Sequence, residues 1–481
     1  MMQKMAGICF TANSGILIYI LSYSLIFFRM SSFLTKKEIE KMRRIACILL
    51  SMLTILPAFI FAQGAKVPLS YPEYKLEGYG TETRGGLDGR IIKVTNLNAD
   101  GPGSFKEAIE AEGARVVVFE VAGIIDLDFQ QITINNPYLT IAGQTAPSPG
   151  VTFIKGGLTF NTHDIVMQHV RFRMGDGDMQ PGERKYEAEI STAANGNPYN
   201  IVVDHCSVSW GVDENLSISG KRGYGPENAS HNITYSNNFI SECLAYSVHP
   251  KTISKNMNHS MGTLVMDDCT DIAIIGNYYA HNYERNPWFK GNSSGLIVNN
   301  LIYDPGAWAI RLSWIPKEWN GLEERPSTPI VSIVGNYEKE GQSTTVKAMV
   351  GSNYPENDER CYMEDNIIVK ADGVTEGSLT DDSIPVTLLD ERPIWIDGLT
   401  VRAAETVPEY VLKYAGARPA DRDEVDKRLV DEFYNGTGRI INSQNEVGGY
   451  PKTEPVYREL TPCLGSIEDW LARYTWEVMP H

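Results

Sequence analysis

Cysteine is scarce and unpatterned in this sequence. The 481 residues hold seven, and no two stand in a CxxC pair, which excludes a zinc knuckle or a thioredoxin-like redox pair. Cys206, Cys243, Cys269 and Cys361 fall in strand-like segments and read as small buried apolar residues. Positive charge is short as well: 43 Lys and Arg against 60 Asp and Glu give a net charge of −17 and a pI near 5.0. Phosphate binding needs a basic stripe that displaces counterions, and its absence excludes nucleic acid as a partner. A polyanionic ligand would be repelled by the chain as a whole, so it would need a local basic cluster or a bridging cation.

Long apolar runs are confined to the beginning. Residues 15–28 are short for a membrane span, and residues 45–62 read as a secretory signal. Met42-Arg43-Arg44 supplies the basic start and Ile60-Phe61-Ala62 a small-residue exit before Gln63. The expectation is a leader over residues 1–62 with Met42 as the true start, an exported protein, periplasmic or extracellular, and no membrane span in the mature chain. The chain as a whole has globular composition, 42% hydrophobic and 10% aromatic, ample for a packed core.

A repeat runs through the middle. Residues 164–169, 200–205, 232–238, 271–277, 295–300 and 329–336 each run from a polar or turn residue through a short β-branched stretch to His169, His205, Asn238, Asn277, Asn300 and Asn336. The end residues lie 36, 33, 39, 23 and 36 apart. Short strands broken by Asn, Gly and His, with insertions of variable length, describe the rungs of a parallel β-helix rather than a helical repeat. Each rung would turn at the Asn or His, where side-chain amides can bond the next rung. The long insertions would gather on one face as a binding surface.

A solenoid needs its open end covered. Ser104 and Glu107 have capping-box spacing, and Phe105, Ala108 and Ile109 share one helical side, so residues 104–111 read as a plugging helix before a strand at 115–120. Beyond about residue 395 the pattern becomes helical and charged, from Val407 to Tyr434, followed by a Gly-rich tail. The domains expected are a β-helix over 63–395 and an extension over 396–481 packed on its exterior.

Several motifs then occur in order: Gly101-Pro102-Gly103-Ser104-Phe105-Lys106-Glu107-Ala108, Val116-Val117-Val118-Phe119-Glu120-Val121-Ala122-Gly123, Leu139-Thr140-Ile141-Ala142-Gly143-Gln144-Thr145-Ala146-Pro147, and Asp204-His205-Cys206-Ser207 with Ser209-Trp210 and Asp213-Glu214. Together they closely resemble the bacterial and fungal pectate lyases of polysaccharide lyase family 1. The likeness resumes at Ala415-Gly416-Ala417-Arg418-Pro419 and Val447-Gly448-Gly449-Tyr450-Pro451. The resemblance implies an all-β, right-handed parallel β-helix, calcium as cofactor, and eliminative cleavage of α-1,4-linked galacturonate in polygalacturonate or pectin; the expected state is a monomer. It also implies a catalytic arginine in Arg285-Asn286-Pro287, a second basic residue at Lys290 where relatives usually carry Arg, and a substrate-binding lysine at Lys251.

The chemistry asks for those residue types. Removing the C5 proton beside a carboxylate builds a second negative charge, so a cation must neutralise the carboxylate and a base must take the proton. Arg285 is the candidate base, with Lys251 next, although a guanidinium normally stays protonated. Lys255 and His259 compete with Lys251, and His259 and Lys290 are candidate substrate contacts. For the metal, alternation puts Asp213, Asn215 and Ser217 outward if Leu216 and Ile218 face the core, with Glu214 pointing away unless a turn intervenes. Glu187 and Glu189 are the replacement ligands, since Ser217 stands where relatives commonly carry a carboxylate. Asp204-His205 reads as structural. Trp210, Trp288 and Trp308 are candidate sugar platforms or groove walls. A hydrolase on the same fold would need a carboxyl pair, for which Asp267-Asp268 is the candidate.

Overall fold

The computed structural model describes residues 74–180, 189–322, 324–354, 357–381, 383 and 386–481. The apolar runs before Gln63 and the candidate ligand Glu187 lie outside these residues. Within them the chain winds through three parallel sheets, visiting A, then B, then C on each coil. Sheet A has eleven strands, from Arg90–Val94 to Thr387–Leu388. Sheet B runs from Val121–Asp126 to Ile367–Val369, and Val456–Tyr457 closes one edge antiparallel. Sheet C has nine strands, from Gln131–Ile134 to Ser378–Thr380.

Register explains the core. In sheet A, Ile141, Met167, Val203, Tyr235, Ile274, Ile297 and Ile333 are in-line partners on successive rungs, and all are buried in one apolar cluster. Alternation sends these β-branched and aromatic side chains inward, where each packs on the equivalent residue above and below.

The A-to-B turn uses two adjacent positions where the repeat showed one. His205, Asn237, Gly276, Asn299 and Gly335 hold left-handed backbone, with φ of 48°, 52°, 66°, 53° and 69°. The next residue forms the amide column: the N–H groups of Asn238, Asn277 and Asn300 donate to Oδ1 of Asn277, Asn300 and Asn336 at 2.9 Å. Asn366, which the repeat did not include, continues it by accepting from Asn336 at 3.0 Å. His169 and His205 therefore belong to the first column, where their rings stack at 5.2 Å. Asn238, Asn277, Asn300 and Asn336 belong to the second.

Helix α1, Phe105–Glu110, plugs the end as the spacing predicts. Ser104 Oγ accepts the Glu107 N–H at 3.2 Å, while the Glu107 carboxylate reaches Gly103 rather than Ser104. Phe105 stacks on Phe119 and meets Phe153 at a tilt. One strand, Arg90–Val94, precedes the 115–119 strand that the sequence reading took as the first.

Insertions occur at two corners rather than one. The B-to-C corner carries α2, Pro250–Lys255, and the C-to-A corner carries the long segment containing Pro316–Trp319. The C-terminal region forms α3, Val407–Tyr414, α4, Glu424–Asn435, and α5, Ile467–Val478. Helix α4 lies against sheet B, where Asp426 accepts from Ser207 and Arg173, both at 2.6 Å. Helix α5 was not anticipated; its Leu471 and Tyr474 cover Val116, Val118 and Ala142 of sheet A.

Candidate active site

The site forms where the chain enters sheet C. Strands Ile190–Thr192, Glu214–Ile218, Met261–Val265 and Trp288–Phe289 are successive neighbours there, about 4.8 Å apart. Residues ahead of them converge out of strict register into one column, in which Asp213 lies 3.1 Å from His259 and 4.0 Å from Arg285, with Glu189 ahead of the neighbouring strand. Gly262 permits a close step here, because a Cβ there would lie 2.4 Å from the Arg285 carbonyl oxygen. Only glycine lets those two backbones approach so closely.

Alternation fails at the start of the Glu214 strand, because the chain bends at Val212 and Asp213. Leu216 and Ile218 fill the core as expected. Asn215 and Ser217 are buried instead of outward, and the Asn215 amide accepts from the Gly211 N–H at 2.9 Å and donates to the Ser241 carbonyl at 3.0 Å. Glu214, expected on the opposite side, is ion-paired with Arg285.

Arg285 is 12% exposed at its side chain and lies 4.0 Å from Asp213 Oδ1. Its own backbone is left-handed, with φ of 65°. Burial lowers the guanidinium pKa to about 10, with Arg311 adding to the shift and Asp213 and Glu189 opposing it. Glu189 is thus within electrostatic reach of Arg285. Arg311, one rung further on, stacks over Trp288 at 3.8 Å and binds Glu284 at 3.0 Å.

Asp213 meets two imidazoles. His249 Nε2 is 3.3 Å from Oδ2 and His259 Nε2 is 3.1 Å from Oδ1, with the two rings edge to face at 3.8 Å. His249 Nδ1 accepts the Lys251 N–H at 3.1 Å, capping α2. That bond puts the ring proton of the neutral imidazole on Nε2, facing Asp213. Burial would raise the Asp213 carboxyl, but the His249 hydrogen bond and the Arg285 charge outweigh it and hold the group well below its ordinary value. Burial lowers His259 to about 4, and the charges of His249 and Lys251 push the same way.

Other candidates are placed differently. Lys290 is 2% exposed and is held by Asp267 at 3.2 Å and by Glu318. Its charge is neutralised inside the protein by those two carboxylates. His259, read as a substrate contact, is 1% exposed and sits against Asp213 in the wall. Lys251 is exposed on the first turn of α2 beside this cluster. Trp210 and Trp288 are buried, with Nε1 bonded to Glu242 and to the Ser313 carbonyl, so neither is a sugar platform. Asp267 and Asp268 are buried and occupied by Arg222, Lys290, the Gly223 N–H and Asn292, which removes the carboxyl pair a hydrolase would use. Asp204 is buried and accepts from Tyr74, Gln168 and Ser236, the structural role expected of it.

His249 and Arg311 were not singled out from sequence. The signal for His249 was its place before Pro250, a helix start. Arg311 stands alone as a charge between Ile310 and Leu312.

No family model matches the chain. Proteins named probable pectate lyase C do: that of Aspergillus flavus is 32% identical over 381 residues, 78% of this chain and 80% of its own. That of Neosartorya fischeri is 31% identical over 398 residues, 81% of this chain and 83% of its own. The chain belongs to the pectate lyase family. It is accordingly a polysaccharide lyase. The crystal structure of the major allergen from cedar pollen shares the fold, with a TM-score of 0.50 and 16% identity over 70% of this chain and 91% of that one. In this lyase the Asp213 to Arg285 column lies at the B-to-C corner, the one that also carries α2 and its cap His249.

Proposed function

We propose that this lyase cleaves polygalacturonate, or the galacturonate backbone of pectin, by β-elimination, with Arg285 as the base. The observation that carries this is the desolvated guanidinium held by Glu214 beside Asp213 at the mouth of sheet C. Arg285 takes the C5 proton, the electron pair forms the C4–C5 double bond, and the glycosidic oxygen leaves C4 and picks up a proton from solvent. Glu214 fixes the direction of the guanidinium, and Lys251 on the rim of the cleft pairs with a substrate carboxylate.

Calcium, implied by the resemblance, takes about six to eight oxygen ligands. Among the described residues, the cluster able to hold a cation offers one carboxylate and two imidazoles, Asp213, His249 and His259, and Glu214 is taken by Arg285. That donor set does not fit calcium. The leader reading over residues 1–62 assigns the enzyme to the periplasm or the extracellular space, where pectic polymers are accessible. No helix among the described residues is long and apolar enough to cross a membrane.

Mixing the purified protein with polygalacturonate and following ultraviolet absorbance tests the reaction. Elimination gives a conjugated, absorbing product. Chain cleavage without rising absorbance would refute it.

A further inference from the structure

We propose that the column holds a first-row transition cation of the zinc class, with Asp213 Oδ1 and the His259 imidazole as protein ligands and His249 as the outer donor that orients Asp213. The placement of unpaired atoms points there. His259 is 1% exposed, yet neither of its ring nitrogens has a hydrogen-bond partner, and Asp213 Oδ1, 3.1 Å from Nε2, has none either. A buried imidazole without a partner on either nitrogen is costly in a folded protein. An ion between the two accepts a nitrogen lone pair and a carboxylate oxygen, which relieves both.

The proton inventory separates the two histidines. His249 Nδ1 is occupied by the Lys251 N–H, so its Nε2 bears hydrogen and donates to Asp213 Oδ2 instead of binding metal. Hydrogen-bonded second partners of this kind orient ligating carboxylates. His259 carries no such commitment, and either of its nitrogens is available. Imidazole selects zinc, cobalt or nickel over calcium, whose ligands are oxygens. Two protein ligands are one fewer than the three that catalytic zinc sites usually supply, so water and substrate oxygens fill the remaining positions.

The inference rests on the same cleft as the eliminative reading, and it can fail separately. Calorimetry of the untagged chain with Zn2+ and with Ca2+ is the test, on wild type and on His259→Gln, with circular dichroism confirming that the variant folds. The expected result is one Zn2+ per chain, bound at least about 100-fold more tightly than Ca2+, and a loss of at least about 100-fold in His259→Gln. X-ray absorption of the zinc-loaded wild type, which needs no variant, should show imidazole nitrogen at about 2.0–2.1 Å. Calcium binding as tight as zinc, an oxygen-only shell, or unchanged zinc affinity in His259→Gln would each overturn it. Unsaturated product from a calcium-preferring protein would sink this inference alone, whereas zinc binding without that product would sink the eliminative reading alone.

Discussion

Arg285 and Lys290 stand five residues apart with the same charge, and their surroundings give them opposite tasks. Arg285 sits at the mouth of the cleft beside Asp213, whereas Lys290 is closed in by Asp267 and Glu318. Arg285→Lys should therefore lower kcat by about 10²–10⁴, the usual contribution of a positioned base, without changing the thermal midpoint. Lys290→Met should do the reverse: kcat stays within a few-fold, while stability falls by about 1–3 kcal/mol because buried Asp267 loses one of its two cationic partners and keeps Arg222 with the Gly291 and Trp319 N–H donors. Steady-state kinetics and thermal unfolding of both variants check the contrast, and a folded Arg285→Lys enzyme with normal kcat would remove Arg285 as the base. Sequence motifs singled out Arg285, and the structure places it beside Asp213 and Glu214. They did not announce the burial of Lys290, because its partner Glu318 comes from a separate loop and no local pattern signals that contact.

Strands and turns of the coil were legible because their chemistry is local. Asn, Gly and His recur where the backbone must turn left-handed, and β-branched residues recur between them. What the repeat merged is the pair of columns, since a left-handed Asn and an amide-ladder Asn look alike in one dimension. Helix α5 was legible in principle, with Ser466 capping onto the Asp469 N–H at 3.1 Å and Ile467, Leu471, Tyr474 and Val478 at helical spacing. The sheet strand Tyr337–Lys339 hides a different feature. Glu338 is fully buried, neither carboxylate oxygen has a partner, and burial, reinforced by Glu340, pushes its pKa from 4.5 to about 8. A folded pKa above the unfolded one contributes stability below pH 4.5 that is lost as pH rises through about 8. Glu338→Gln should flatten that decline, so thermal midpoints at pH 5 and pH 9 should differ less in the variant than in wild type. An unchanged difference would contradict the assignment.

Across the whole molecule, residues distant in sequence become neighbours because one coil returns the chain to the same corner. Asp213 and His259 are separated by a 46-residue difference in number, yet they precede adjacent strands of sheet C. Loop length between rungs sets that spacing, which is why the histidine pair around Asp213 was not readable beforehand. The tail is bound to the coil in a similar way: Arg173 is fully buried and its charge is met by Asp423, the N-cap of α4, and by Asp426 in its first turn, at 3.1 and 2.6 Å. Ending the chain at residue 395 would leave that guanidinium uncompensated, at about 3–5 kcal/mol for a broken buried pair, and uncover the apolar face beneath α5. The truncated protein should be insoluble or lack cooperative unfolding, and a soluble, cooperatively melting truncation would show the coil to be self-sufficient. The most direct test of the central claim is the mass of the fragments released from oligogalacturonate. Elimination predicts that each cut yields one fragment with a new non-reducing end lighter by one water than its hydrolytic counterpart, and fragments carrying the full added water at every cut would contradict it.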